Sequence, residues 1–179
     1  MTAAAFQPAD EDRFWAMVEE AWAPLGEAAN RARRDLAARS PVEGEDHAAY
    51  ELLGRVEDVH VEFLANLRAA SEPLTAAELT ALDAVVERKL YDLDRADVHE
   101  VTDGSDDGFL YARGFIVSLG RDYYEAVMRE PRLAVLEADC QEMGYFFAHL
   151  HHKRHGSFPA TGSGISRESC SNRAGWPAF

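Results

Sequence analysis

Two stretches of this sequence gather side chains of the kinds that ligands, protons and metals require. The first is Asp103-Gly-Ser105-Asp106-Asp107-Gly108, with His99 just upstream and Arg113 inside the run that follows. Carboxylates beside a guanidinium and an imidazole can hold a charged ligand or exchange protons with it. The spacing Asp103-x-Ser105-x-Asp107-Gly108 also imitates the first half of a calcium loop, which wants oxygens at positions 1, 3 and 5 and glycine at 6. The closing position, where such a loop needs a bidentate glutamate, is Gly114, so the residues read better as a helix cap than as a metal site. The second stretch is His149-Leu-His151-His152-Lys153-Arg154-His155. On a helix His151 and His155 share one face a turn apart, the geometry of two-histidine ligation, and His152 stands three residues from both His149 and His155. Lys153 and Arg154 add positive charge beside any cation and no acidic third ligand lies nearby, so no metal is assigned. A cationic cluster near a helix C-terminus also suits the helix dipole.

The element that positions the first group is a helix over residues 105–119. Phe109, Ala112, Phe115, Ile116 and Leu119 form one stripe, and Leu110, Tyr111 and Val117 fill the other faces. A helix apolar all round is a buried one. Ser105 or Asp106 suits its N-cap, Asp106 and Asp107 complement the positive end of its dipole, and Gly120 suits a left-handed stop. Arg113 is the exception, and a buried cation must find partners. Asp106, two turns upstream on the same face, and the acidic segment before it are the expected partners; the other reading has Arg113 and the acids converging on a ligand.

The run Ser105-Asp-Asp-Gly-Phe109, then Arg113, then Phe115-Ile-Val-Ser-Leu-Gly-Arg121 resembles the signature of a family of small bacterial domains of unknown function. That signature is Ser-Asp-Asp-x-Phe, three residues, Arg, then an aromatic, aliphatics and Gly-Arg/Lys. Phe14-Trp15 matches a Phe-Trp pair near the family's start, and Glu130-Pro131 stands where it has Asp-Pro. Two departures are visible: Tyr91-Asp-Leu-Asp94 replaces Trp-Asp-Leu-Trp, and Ala112 replaces the aromatic before the arginine. The resemblance spans most of residues 10 to 160 and implies a fold, with no activity to carry over.

The 179 residues suffice for one domain with a sizeable core, and 47% hydrophobic with 28% charged residues describes an ordinary globular chain. The net charge is −14, with seven acids between residues 91 and 107 (Asp92, Asp94, Asp97, Glu100, Asp103, Asp106 and Asp107). Such a surface repels phosphate backbones, which argues against nucleic acid and anionic membranes as partners. Neither a signal-peptide pattern at Met1–Arg13 nor an apolar run of membrane length is present, and Cys140 and Cys170 offer no disulfide framework. The expected setting is cytoplasmic.

Along the chain, residues 1–9 read as a flexible arm, 10–155 as a helical domain and 156–179 as a disordered tail of Gly, Ser, Pro and Ala. Phe14, Val18, Ala21, Trp22 and Leu25 make a first helical stripe that Pro24 should break. Arg31, Arg33, Arg34 and Arg39 read as a solvated basic face. Residues 46 to 70 carry Tyr50, Leu53, Val56, His60, Phe63, Leu64 and Leu67 at helical spacing. Thr75-Ala-Ala-Glu78 is a capping box, followed by the stripe Leu79, Leu82, Val85, Val86, Leu90 and Leu93. Leu133, Leu136, Cys140, Met143, Phe147 and Leu150 read as a heptad-like helical seam that buries Cys140. No period-two alternation proposes a strand. The fold class is therefore all-α, a single-domain helical bundle with a buried central helix.

No serine nucleophile elbow, phosphate-cradling glycine loop or dinucleotide fingerprint occurs, and no cofactor is implied. Two function classes follow. One is a non-catalytic accessory module that binds a protein or peptide. The other is an enzyme or small-ligand receptor whose pocket uses Asp103, Ser105, Asp106, Asp107, Arg113 and His99. A cleft with Arg113 exposed at its floor favours the second, and an enclosed Arg113 the first.

Overall fold

A computed structural model describes residues 7–102 and 105–176. Asp103 and Gly104 of the acidic loop, and the first six residues of the expected arm, lie outside the described residues. The fold is all-α, and the described residues contain no strand. Helices α1 (Pro8–Trp22) and α2 (Gly26–Ala38) are separated by a short 3-10 turn at Ala23–Leu25, where Pro24 breaks the ladder. The periodicity over residues 46–70 becomes two helices, α3 (His47–Glu57) and α4 (His60–Ala70). Next come α5 (Ala76–Asp92), the single-turn α6 (Ala96–His99) and α7 (Asp106–Ser118). Then follow α8 (Arg121–Arg129), the short α9 (Gln141–Gly144) and α10 (Phe146–His155). Among the described residues no helix is long and apolar enough to cross a membrane.

The anticipated N-caps of α5 and α7 form, while α7 ends on Leu119 in a right-handed conformation and Gly120, at φ 97° and ψ 174°, lies outside the left-handed helical region. Thr75 and Glu78 exchange both capping-box bonds at the start of α5, with Thr75 Oγ1 accepting from the Glu78 amide at 3.3 Å. Ser105 caps α7, its hydroxyl accepting from the Gly108 amide at 3.0 Å. Helix α7 is the centre of the molecule and packs on α5, α8 and α9. Every residue from Ala112 to Ser118 is buried. Around it Trp22 stacks on Phe63 at 4.6 Å and donates its indole N–H to Ser118 O at 2.7 Å. His60 lies parallel to Phe63 at 5.6 Å, with Nε2 2.9 Å from Ser118 Oγ. Burial pushes the His60 pKa down from 6.5 to about 4, against a small opposing pull from Glu142.

The expected seam from Leu133 to Leu150 is not one helix. Pro131–Leu133 is a 3-10 turn, and the chain then runs irregularly to α9. Tertiary contact overrides periodicity here. The Cys140 amide donates to Tyr111 O at 3.0 Å, and a side chain at Gly114 would overlap the Cys140 carbonyl. The loop thus lies directly on the α7 backbone, a closeness no continuous helix could reach with its side chains intervening. Cys140 is nonetheless buried, which raises its thiol pKa to about 12, while Leu136 turns outward at 46% exposure.

Residues 156–176, whose composition predicts disorder, have almost no regular structure yet are bound to the body by side chains. Arg167 is buried, pairs with Asp83 at 2.7 Å and Glu87 at 3.3 Å, and donates to Gly144 O. Asp94, fully buried, accepts from the amides of Cys170 and Asn172 and from the Trp176 indole at 2.8–3.0 Å. The Ala96 amide donates to Gly175 O at 2.9 Å, and a Cβ at Gly175 would collide with the Asp94 carbonyl. Arg167 with its two carboxylates, and Asp94 with the Trp176 indole, do what an apolar stripe would otherwise do.

Candidate functional site

The residues expected to converge around Arg113 are only partly brought together. Arg113 is buried at 0% exposure on α7, its guanidinium 4.7 Å from the centre of the Phe109 ring. One terminal nitrogen donates to Leu90 O at 2.9 Å, and the other donates to Arg167 O at 2.9 Å and Ser169 Oγ at 3.3 Å. No carboxylate of the described residues stands within ion-pair reach. The expected pair with Asp106 does not form; Asp106 is exposed, and its backbone carbonyl accepts from the Ser169 hydroxyl at 2.9 Å. Burial lowers the Arg113 pKa, opposed first by the negative charge of Asp94. The physical role is therefore a cap. Leu90 belongs to the last turn of α5, where helix carbonyls lack intrahelical donors and favour positive charge. Asn172 serves the next carbonyl, Tyr91 O, at 3.0 Å.

His99 faces the same aromatic group, with Phe109 at 5.0 Å and Trp176 at 5.4 Å, so the Phe109 ring touches both His99 and Arg113. Ser105 is engaged as the α7 cap, Asp107 is exposed on the first turn, and Asp103 lies outside the described residues. Arg113 is enclosed between the end of α5 and the segment carrying Arg167 and Ser169.

The histidines divide. His151 is buried with Nδ1 2.7 Å from Ser157 O, and His155 lies 4.9 Å from it, ring centre to ring centre. His152 stacks on Phe158 at 4.5 Å, and His149 faces Tyr145 at 5.8 Å. Among the described residues no group of three or more His, Cys, Asp or Glu side chains is placed to hold a metal.

An open concavity lies elsewhere. A cleft of about 570 Å³ is formed where the loop after α2 and the start of α3 face Glu100, Val101 and the chain following α8. Three elements meet there because Arg39 pins them. Its guanidinium donates to Leu36 O at 2.6 Å, to Leu133 O at 2.7 Å and to Asp46 at 3.2 Å. Asp46 in turn caps α3, accepting from the Ala49 amide at 2.9 Å. Tyr123, fully enclosed, donates its hydroxyl to the same Leu133 carbonyl at 2.8 Å. Val42, Tyr50 and Leu136 stand on the walls at 52%, 37% and 46% exposure. Ala49, Ala134 and Val135 are the buried floor. Glu43, Glu45 and Glu100 rim the opening.

A family model described as a protein of unknown function (DUF4240) matches residues 46–151, more than half of the chain. The chain belongs to the DUF4240 family. No curated protein and no solved structure matches it. The DUF4240 segment runs from the α3 cap to the buried histidine of α10, and so contains Asp94, Arg113 and the greater part of the cleft. Arg39, Val42 and the clasped segment 161–176 fall outside it.

None of the cleft residues stood out as functional in the sequence. Tyr50 and Leu136 read as core positions, and Arg39 as part of a solvated face. One signal was available for the clasp: Asp83 sits between Leu82 and Val86 on the buried stripe of α5, and a carboxylate there demands a cation. Burial raises the Asp83 pKa, opposed by Arg167.

Proposed function

We propose that this DUF4240 protein is a non-catalytic accessory module that binds a protein or peptide partner through the cleft between α3, Glu100–Val101 and the chain after α8. The observation that carries this reading is the exposure of Val42, Tyr50 and Leu136. They are three of the five large apolar side chains exposed among the described residues, and all three line one concavity. Exposed apolar side chains gathered in one place mark interaction sites, whereas scattered ones need no explanation. The cleft holds arginines and carboxylates but no histidine, cysteine, serine or threonine among its lining residues, so it lacks an obvious nucleophile or imidazole base.

The competing reading, an enzyme or small-ligand receptor at the acidic loop and Arg113, rests on residues that serve structure here. Arg113 has no exposed surface, and its two terminal nitrogens are directed at carbonyls and a hydroxyl of the protein itself.

The test is site-specific photo-crosslinking in the cell of origin, with benzoylphenylalanine at position 50 or 136 and at position 61 as control. Val61, on α4, is the most exposed large apolar side chain among the described residues at 76% and lies outside the cleft. The proposal expects a discrete crosslinked partner from 50 and 136 and none from 61. Equal yields from all three positions, or none from the cleft, refute it.

A further inference from the structure

We infer that the partner segment presents a bulky apolar side chain with lysine or arginine beside it, an inference that rests on the binding-module reading of the same cleft. Most of the negative charge at the rim is not spent within the fold. Two cations line the cleft, and both are engaged. Arg39 serves two carbonyls and Asp46, and Arg132 makes two bonds to Glu130 at 2.9 and 3.0 Å. Four acids line it, of which only Asp46 is consumed by the fold, as the α3 cap and the Arg39 partner. Glu43 and Glu100 make no ion pair among the described residues; Glu43 adds a longer-range pull on Arg132. Glu45 has only an exposed contact of 3.7 Å with His47, charged only when that histidine is protonated. The rim is therefore net negative on a chain of net charge −14.

Apolar walls select a large hydrophobic side chain, because that is what removes Val42, Tyr50 and Leu136 from water. Three carboxylates at the mouth select positive charge beside it, and complementary potential speeds encounter while like charge excludes wrong partners. An acidic peptide or a phosphate backbone would bring negative charge to negative charge. The small floor residues Ala49 and Ala134 leave depth for an inserted side chain, so the walls can grip more than its tip.

The experiment is selection of a displayed random peptide library on the immobilised full chain, followed by solution affinities of synthetic versions of the enriched peptides. Leu136→Glu and the triple variant Glu43→Gln, Glu45→Gln, Glu100→Gln serve as probes, with circular dichroism confirming that each is folded. These side chains are exposed, so the fold should survive their exchange. The expected result is enrichment of an apolar residue next to Lys or Arg. Binding should weaken about tenfold from low to high salt and by a similar factor in the triple variant, and be lost in Leu136→Glu. Enriched peptides that are neutral or acidic, yet still lost in Leu136→Glu, overturn the assigned partner chemistry and leave the cleft as the site. No enrichment, or peptides whose binding survives both Leu136→Glu and Tyr50→Ala, overturns the partner chemistry together with the cleft.

Discussion

Replacing Arg113 by methionine keeps most of the aliphatic stem and deletes the guanidinium, and its consequences can be worked from the three bonds Arg113 makes. Two carbonyls, Leu90 O and Arg167 O, lose their charged donor. A buried acceptor left without a partner costs roughly 1–3 kcal/mol. Against this, the variant no longer removes a cation from water, a burden of several kcal/mol that the wild type carries. Asp94 also loses the positive charge of Arg113, which removes a favourable interaction from the folded state. The balance is a loss of about 3 kcal/mol, read as a lower midpoint in urea with an unchanged slope. The loss should be visible locally as well, because Arg167 O and Ser169 Oγ tie the clasped segment to α7. The Cys170 and Asn172 amides, bonded to Asp94, should exchange hydrogen faster in the variant, while amides of α1 should change only as global stability falls. An unchanged midpoint with undiminished protection at residues 170 and 172 would refute the capping role and return Arg113 to the candidate ligand residues.

Three further outcomes follow from the packing. His60 stays neutral in the fold to about pH 4, whereas the unfolded chain takes up its proton near 6.5. Its contribution is complete above pH 6.5 and is lost as pH falls toward 4, by about 3 kcal/mol in all. His60→Phe should flatten the stability profile in that window, measured as denaturant midpoints against pH; identical slopes would contradict the account. Gly114→Ala forces a methyl into the Cys140 carbonyl and should cost about 1–3 kcal/mol or more by thermal unfolding, with a neutral result contradicting the contact. In the native protein a thiol reagent should label exposed Cys170 and spare buried Cys140 until denaturant is added; prompt reaction of both would contradict the packing of the loop on α7.

Local rules carried the sequence reading as far as local rules reach. The capping box of α5, the Ser105 cap and the buried stripe of α7 are encoded in a few neighbouring residues, and each appears where the pattern placed it. The stretch from Leu133 to Cys140 carries helical spacing too. There the decisive contact is with Gly114 and Tyr111, some twenty-five residues away in sequence, and no periodicity records it. The segment 156–176 carries its contacts in a different way. Its composition cannot build an apolar stripe, but Arg167 and Trp176 reach buried acids on and just beyond α5, one through an ion pair and the other through an indole hydrogen bond. Arg113 was legible as a buried cation needing partners, and its true partners were invisible because carbonyls leave no trace in side-chain spacing. The cleft was illegible for a related reason, since outward-turned Tyr50 and Leu136 are chemically indistinguishable from core residues until the chain is folded.

The claim that binding belongs to the cleft rather than to the neighbourhood of Arg113 is tested most directly by site-resolved NMR titration of the full chain with a library-selected peptide. The account predicts chemical-shift changes at residues 42–50, 100–101 and 132–136, the segments that line the cleft, with the Trp176 indole and the amides of 167–172 unmoved. Shifts centred on Arg113, Ser169 and Trp176, with Tyr50 and Leu136 silent, would contradict it.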